Sequence, residues 1–347
     1  MDSQRVACII PFLDEARHLP AVLGSLAAQT IERARLYVIG IDNGSSDGSD
    51  ALFEGWLATE KVAGKLVREP VRSIPRAVNA GIAQTRETDV VVRLDAHTVY
   101  APDYLAVLTE ALATLPADVW CVGGAPQPHP AVDGYSQALV AAMYANPVAL
   151  GPADFRGDHR TAIEVSTVYI GAWRPGVLQR LGGFDERWAA NEDCELTERI
   201  RATGARIYRV PADLGVIVTR GAVATVRQRA RYGYWRMQTL RRYPRAVRAR
   251  HVLPPLALLA ALALAASRWR RLLLPLCGLY AVATIRGRRA GEAPSITAGT
   301  LVFFPLLQAS YATGLLAGLV HVPPALRRRA MDSQSTKLRG GGAGPSQ

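Results

Sequence analysis

The sequence predicts an α/β domain with a Rossmann-like, mixed and mainly parallel central sheet, followed by apolar C-terminal helices embedded in a membrane. Three observations carry that expectation. Short apolar runs alternate with helical stripes through the first half. The runs end in polar clusters, and parallel sheets gather their chemistry beyond the carboxyl ends of their strands. Past residue 250 the pattern changes to longer apolar runs separated by arginine clusters.

Taken in order, Val6, Ala7, Cys8, Ile9 and Ile10 read as a buried strand closed by Pro11. Leu19, Val22, Leu23 and Leu26 then fall on one face of a helix within residues 15–29. Residues 36–41 form a second strand, which runs into the polar turn Asp42, Asn43, Gly44, Ser45, Ser46, Asp47 and Gly48, with a helix from about Ser49. Residues 89–94 form a further strand, ending at Asp95, Ala96 and His97. Asn191, Glu192 and Asp193 precede a helical run over residues 196–202.

The length of 347 residues can bury a real core, and 49% apolar residues exclude a disordered chain. Cys8, Cys121, Cys194 and Cys277 lie far apart, so neither a disulfide scaffold nor a cysteine-rich zinc module is expected. The first five residues have no basic region leading into a long apolar run, so no signal peptide is expected and the first domain should stay in the cytosol.

Charge divides the chain. Residues 1–226 carry 21 Lys/Arg against 27 Asp/Glu, whereas residues 227–347 carry 20 against 2. The basic part interleaves its arginines with apolar runs at 252–266, 272–285 and 299–320, which points to an anionic bilayer and away from nucleic acid. A span needs about 20 apolar residues, so only the last run is comfortably long enough. Within it Gly314 and Gly318 have GxxxG spacing, a device for close helix packing and a possible route to oligomers through the membrane helices.

The candidate chemistry sits at the strand ends. Asp42 is either part of an ordinary polar turn or a carboxylate that accepts hydrogen bonds from a base or a ribose hydroxyl. Asp95 and His97, two apart in extended chain, can converge on one Mn²⁺ or, less well, Mg²⁺ ion, or form a satisfied polar cluster. Glu192 and Asp193 are either capping acids at a helix start or a carboxylate base for an attacking hydroxyl.

Six stretches in order give a specific resemblance: residues 9–15, 41–48, 77–81, 93–97, 182–186 and 192–193. Together they resemble the family 2 glycosyltransferases, inverting enzymes that use nucleotide sugars. His97, where the usual motif ends in aspartate, resembles the succinoglycan-type exopolysaccharide branch, whose members tend to carry membrane segments after the catalytic domain. The resemblance implies a nucleotide-sugar donor, of UDP type, held by Pro11, Glu15, Asp42, Asn79 and Asp95. It implies a divalent ion at Asp95 and His97, Asp193 as general base with Glu192 beside it, and a lipid-linked or polysaccharide acceptor. Gln228 and Arg231 resemble a Q-x-x-R stretch that contacts diphosphate or acceptor, but an arginine-rich amphipathic helix at the bilayer surface explains them equally well. The expected organisation is a cytosolic catalytic domain over 1–226, a basic interfacial segment over 227–250, membrane helices over 251–322 and a disordered basic tail over 323–347. The competing reading is a catalytically inactive, membrane-associated protein that binds sugar nucleotides.

Overall fold

The computed structural model describes residues 4–125, 134–146, 161–217, 220–288 and 291–326. The order is β1 (Val6–Phe12), α1 (Leu19–Ala27), β2 (Leu36–Asp42), α2 (Ser49–Glu60), β3 (Gly64–Arg68), α3 (Ile74–Ile82), β4 (Val90–Arg93) and β5 (Thr98–Val99). There follow α4 (Tyr104–Thr114), β6 (Val119–Ala125), α5 (Tyr135–Ala145), β7 (Ile163–Glu164), β8 (Ala172–Trp173), α6 (Val177–Leu181), α7 (Glu192–Ala202), β9 (Arg206–Asp213) and β10 (Val216–Ile217). The chain then becomes helical: α8 (Ala222–Arg242), α9 (Ala249–Ala266), α10 (Leu273–Arg286) and α11 (Pro294–Val320).

The sheet is mixed and mostly parallel, as the alternating pattern requires. Its order is β3-β2-β1-β4-β8-β6-β9-β7, with β5 and β10 forming a separate antiparallel pair. Strands β3, β2, β1 and β4 are parallel, β8 runs antiparallel to both β4 and β6, and β7 runs antiparallel to β9. Strand β1 is buried on both faces, so its residues read as a continuous apolar run. Val6, Cys8 and Ile10 pack with Leu23, Phe53 and Leu108 on one side, while Ala7 and Ile9 pack with Val78, Leu178 and Leu196 on the other. Each fully buried aliphatic side chain contributes about 1.5–3 kcal/mol, so this double-sided core holds the strand ends rigidly.

Strand β1 continues through Pro11, where the sequence reading closed it. Pairing with β4 stops at Ile9, whereas pairing with β2 runs on to Phe12 opposite Asp42. Pro11 therefore lies where one side of β1 has left the sheet and a missing N–H is tolerated.

Helix α8 runs straight through the domain boundary expected at residue 226. Its Trp235 packs on Trp188 with ring centroids 6.0 Å apart, and the Trp188 indole N–H donates to Thr239 Oγ1 at 3.1 Å. The same helix lies against α11. A Cβ at Gly233 would overlap the Tyr311 carbonyl, and one at Gly314 would overlap the Ala230 carbonyl. At Gly318 a Cβ would stand 2.7 Å from the Tyr234 carbonyl oxygen. The GxxxG pair thus packs against another helix of this same chain.

Among the described residues, α11 is the one helix long and apolar enough to cross a membrane, and 33% of its most apolar stretch is buried inside the fold. Helices α9 and α10 expose Leu253, Leu256, Leu259 and Leu262, and Leu274, Leu276, Leu279, Val282 and Ile285. Arg327, Arg328 and Arg329 and the rest of the tail lie outside the described residues.

Candidate active site

The end of β2 supplies the first carboxylate. Asp42 is buried, and its Oδ1 accepts the Ser45 N–H at 2.8 Å, which closes the turn. Its neighbour Asn43 donates to the Glu69 and Val71 carbonyls at 2.7 and 2.6 Å. The loop after β1 folds onto this turn. Asp14 Oδ1 accepts from the Ser46 N–H at 2.7 Å, and Ser49 Oγ accepts from the Glu15 N–H at 2.9 Å. Pro11, Glu15 and Asp42 are thereby gathered at one edge of the sheet, because parallel pairing sets Pro11 opposite Ile41.

The end of β4 supplies the second carboxylate. Asp95 Oδ2 accepts the Tyr169 hydroxyl proton at 2.8 Å, and the Asp95 N–H donates to Tyr100 Oη at 2.6 Å. The Tyr169 pairing follows from register. Val91 faces Trp173 and Val92 faces Ala172 across the antiparallel β4/β8 pair, and continuing that register sets Tyr169 opposite Asp95. Burial pushes the Tyr169 phenol well up, and Asp95 pushes it further, so it remains a proton donor to the carboxylate. His97 Nδ1 lies 3.8 Å from Glu15 Oε1, so the β4 end reaches back to the β1 loop. Glu15 also meets His18 Nδ1 at 2.9 Å.

The acid pair is the third component. Helix α7 begins at Glu192, four residues earlier than the helical run in the sequence, so both acids occupy its first turn. Acids in a first turn complement the partial positive charge of a helix N-terminus. Asn191 launches the helix from the left-handed region at φ 56°, which asparagine tolerates, and its side-chain amide donates to the Tyr232 carbonyl on α8 at 2.8 Å. Glu192 Oε1 accepts from Arg93 at 3.0 Å, with the two side chains 11% and 14% exposed. Burial raises the Glu192 carboxyl, Arg93 opposes that, and Asp193 adds to it. Asp193 Oδ1 accepts the Cys194 N–H at 2.7 Å and is less buried than its neighbour.

Asn79 is brought to the loop over residues 182–186. Its Oδ1 accepts the Phe184 N–H at 2.8 Å, and its Nδ2 donates to the Phe184 carbonyl at 2.9 Å. Gly183 has φ +71°, and a side chain there would collide with the Asn79 amide. Asp185 in this loop pairs with Arg187 and Arg242. Burial alone would raise its carboxyl, but the arginines outweigh burial and bring it down to about 2. Gln228 donates to Tyr232 Oη at 2.9 Å, and Arg231 donates to the Ala189 carbonyl. The Gln228 bond stays within α8, whereas Arg231 braces α8 against the segment that leads into α7.

Among the described residues, no three His, Cys, Asp or Glu side chains come together as a metal cage. Residues 96 and 97 form a turn where extended chain was expected, with Asp95 bonded to Tyr169 and His97 facing Glu15. An ion held by one carboxylate and one imidazole there would be completed by ligand oxygens and water.

Sequence reasoning gave no role to Arg93 or Tyr169. Arg93 carries a usable signal, because it lies two residues before Asp95 and extended chain points both to the same side. Tyr169 lies in irregular chain and has no comparable signal.

The model of glycosyl transferase family 2 matches residues 7–166. The succinoglycan biosynthesis protein ExoA of Rhizobium meliloti is 30% identical over 210 residues, which are 58% of this chain and 59% of that protein. The chain thus spans about three fifths of the length of this relative. Among solved structures, the mannosyltransferase PcManGT of Pyrobaculum calidifontis, in complex with GDP-Man and Mn²⁺, superposes with a TM-score of 0.62 at 23% identity, covering 91% of this chain and 87% of that one. TarS of S. aureus superposes with a TM-score of 0.50 at 13% identity, over 90% of this chain and 55% of that one. These two likenesses concern the fold. The family match runs from β1 through β7 and over both strand-end carboxylates, so residues 7–166 are similar to glycosyl transferase family 2.

Proposed function

We propose that this chain transfers a hexose from a nucleotide-sugar donor, of UDP type, to a lipid-linked or polysaccharide acceptor in the synthesis of a cell-surface glycan. One observation carries the reading. Asp95 at the end of β4 and Glu192 at the start of α7 both face Arg93, which stands 3.8 Å from the first and 3.0 Å from the second, so a donor-side carboxylate and the acid pair meet at one guanidinium. A donor side and a base side are what a direct displacement at an anomeric carbon needs.

In this reading Asp42 accepts hydrogen bonds from the base or ribose, and Pro11 and Glu15 border that pocket. Asp95 and His97 would hold Mn²⁺ or Mg²⁺, which supplies charge to neutralise the diphosphate leaving group. Asp193 accepts the proton of the acceptor hydroxyl as its oxygen bonds to the anomeric carbon. The bond from that carbon to the diphosphate oxygen breaks in the same displacement, which inverts the centre. Glu192 keeps its place beside the base through Arg93, and Asn79 serves the site by fixing the 182–186 loop. Helices α9 to α11 hold the catalytic domain at the cytoplasmic face of the cell membrane, with the exposed leucines in lipid. The ExoA relative and the succinoglycan-type motif support the exopolysaccharide context.

The competing reading is a protein that binds sugar nucleotides and has lost turnover. The sparse donor set at Asp95 and His97 favours it; the acid pair at the start of α7 opposes it. The test is to incubate the detergent-solubilised full chain with Mn²⁺, a panel of UDP- and GDP-sugars and a membrane lipid extract. Release of nucleoside diphosphate with a one-hexose mass increase on lipid or glycan is expected. Binding of nucleotide sugar with no turnover across the panel would establish the inactive reading instead.

A further inference from the structure

We propose that Arg93 is a positioning residue: a strut that fixes the donor-side carboxylate Asp95 at its working distance from the helix that carries Asp193. This rests on the functional reading above and deepens it. Arg93 is the last residue of β4, and Glu192 is the first residue of α7. The two are 99 residues apart in sequence, and their ion pair at 3.0 Å is a direct tie between those elements.

Three features distinguish a strut from a simple counter-ion. The guanidinium reaches in two directions, to Glu192 Oε1 at 3.0 Å and towards Asp95 Oδ1 at 3.8 Å. Its side chain is only 14% exposed, so its place is set by the fold and not by solvent. Its Nε is also buried without a hydrogen-bond partner among the described residues. An unmet buried donor is destabilising, so an arginine selected only to neutralise Glu192 sits in a poor arrangement. A planar fork held between two carboxylates explains that orientation, and lysine, a point charge, cannot reproduce it.

The consequence for chemistry is geometric. The acceptor oxygen must approach the anomeric carbon while its proton meets Asp193. A displacement of about 1 Å in such an arrangement costs about a hundredfold in rate. Asp95 is also held by Tyr169 and Tyr100, so donor affinity should change much less than turnover when Arg93 is lost.

The test uses the full chain in detergent. Arg93→Lys keeps a cation beside Glu192 but loses the fork. Arg93→Met combined with Glu192→Gln removes both charges together and leaves no buried carboxylate alone. Both variants should melt near the wild type. In both, kcat should fall at least about tenfold while the donor KM stays within about threefold. A second readout needs no turnover: hydrogen exchange at residues 192–196 with UDP or GDP and Mn²⁺. The nucleotide should protect these amides in the wild type and fail to do so in the variants. Wild-type kcat in Arg93→Lys, or undiminished coupling in the double variant, would overturn the strut and leave the functional reading standing. A wild type that binds neither nucleotide would overturn both.

Discussion

The carboxyl edge of the sheet and the C-terminal helices break the same rule in opposite directions. At the sheet edge, carboxylates, a guanidinium and phenols are half or fully buried, and Arg93 leaves a donor unmet. Along α9 and α10, leucine after leucine faces outward. A folded chain normally does neither. In the function proposed above the difference has a direct meaning: the first surface takes a polar, charged ligand and the second meets lipid. Helix α8 joins them. Through Trp235 and Thr239 it grips Trp188 near the acid pair, and through Gly233 it grips α11. The orientation of the site relative to the apolar helices is therefore set by packing and not by a flexible linker.

The sharpest way to break the comparison is at the acid pair. Asp193→Asn should lower transfer by about 10²–10⁴ while nucleoside diphosphate affinity stays within about threefold, measured on one preparation. Turnover at the wild-type rate would remove Asp193 from the chemistry. On the apolar side, Leu279→Asp should shift the protein out of membranes by about a hundredfold in partition, since an acid in the hydrocarbon costs roughly 3 kcal/mol. Its detergent-solubilised activity should be unaffected. Unchanged membrane partition would mean that α10 faces something other than lipid.

Two smaller effects sharpen the boundary between the regions. His97→Ala should weaken activation by Mn²⁺ by about 10–100-fold without changing the melting temperature. Full activity of the wild type in excess chelator would exclude the ion altogether. Gly314→Leu should destabilise the α8/α11 contact by about 1–3 kcal/mol through overpacking, seen as a lower melting temperature in detergent. The same change at Gly278, which faces open space on α10, should cost nothing measurable there.

What the sequence made legible follows from what is local. The strands of the first half showed because burial on both faces leaves continuous apolar runs, as in Val6 to Ile10. Asp42 and Asp95 showed because a polar residue ending such a run is conspicuous. Tyr169, which organises Asp95, did not show, because it comes from a remote segment by an antiparallel register; Glu192 showed as an acid at a helix start, but not as the partner of Arg93. Asn79 carried a motif, but the motif could not say that both ends of its amide bind Phe184. The apolar runs of the C-terminal part were equally plain, yet composition does not distinguish a face packed on protein from one that faces outward. Gly314 and Gly318 held that information in their spacing, without naming α8 as the partner.

The central claim is that the carboxylates at the ends of β2 and β4 form the donor site, while the acid pair on α7 stands outside it. Calorimetric titration of UDP and GDP, with Mn²⁺, into the wild type, Asp42→Asn, Asp95→Asn and Asp193→Asn tests it directly. The account predicts that one nucleotide binds the wild type and Asp193→Asn alike, and binds each of the other two at least about tenfold more weakly, the loss of one charge-assisted contact of roughly 1.5–3 kcal/mol. Equal affinity in all four proteins, or a loss confined to Asp193→Asn, would contradict it.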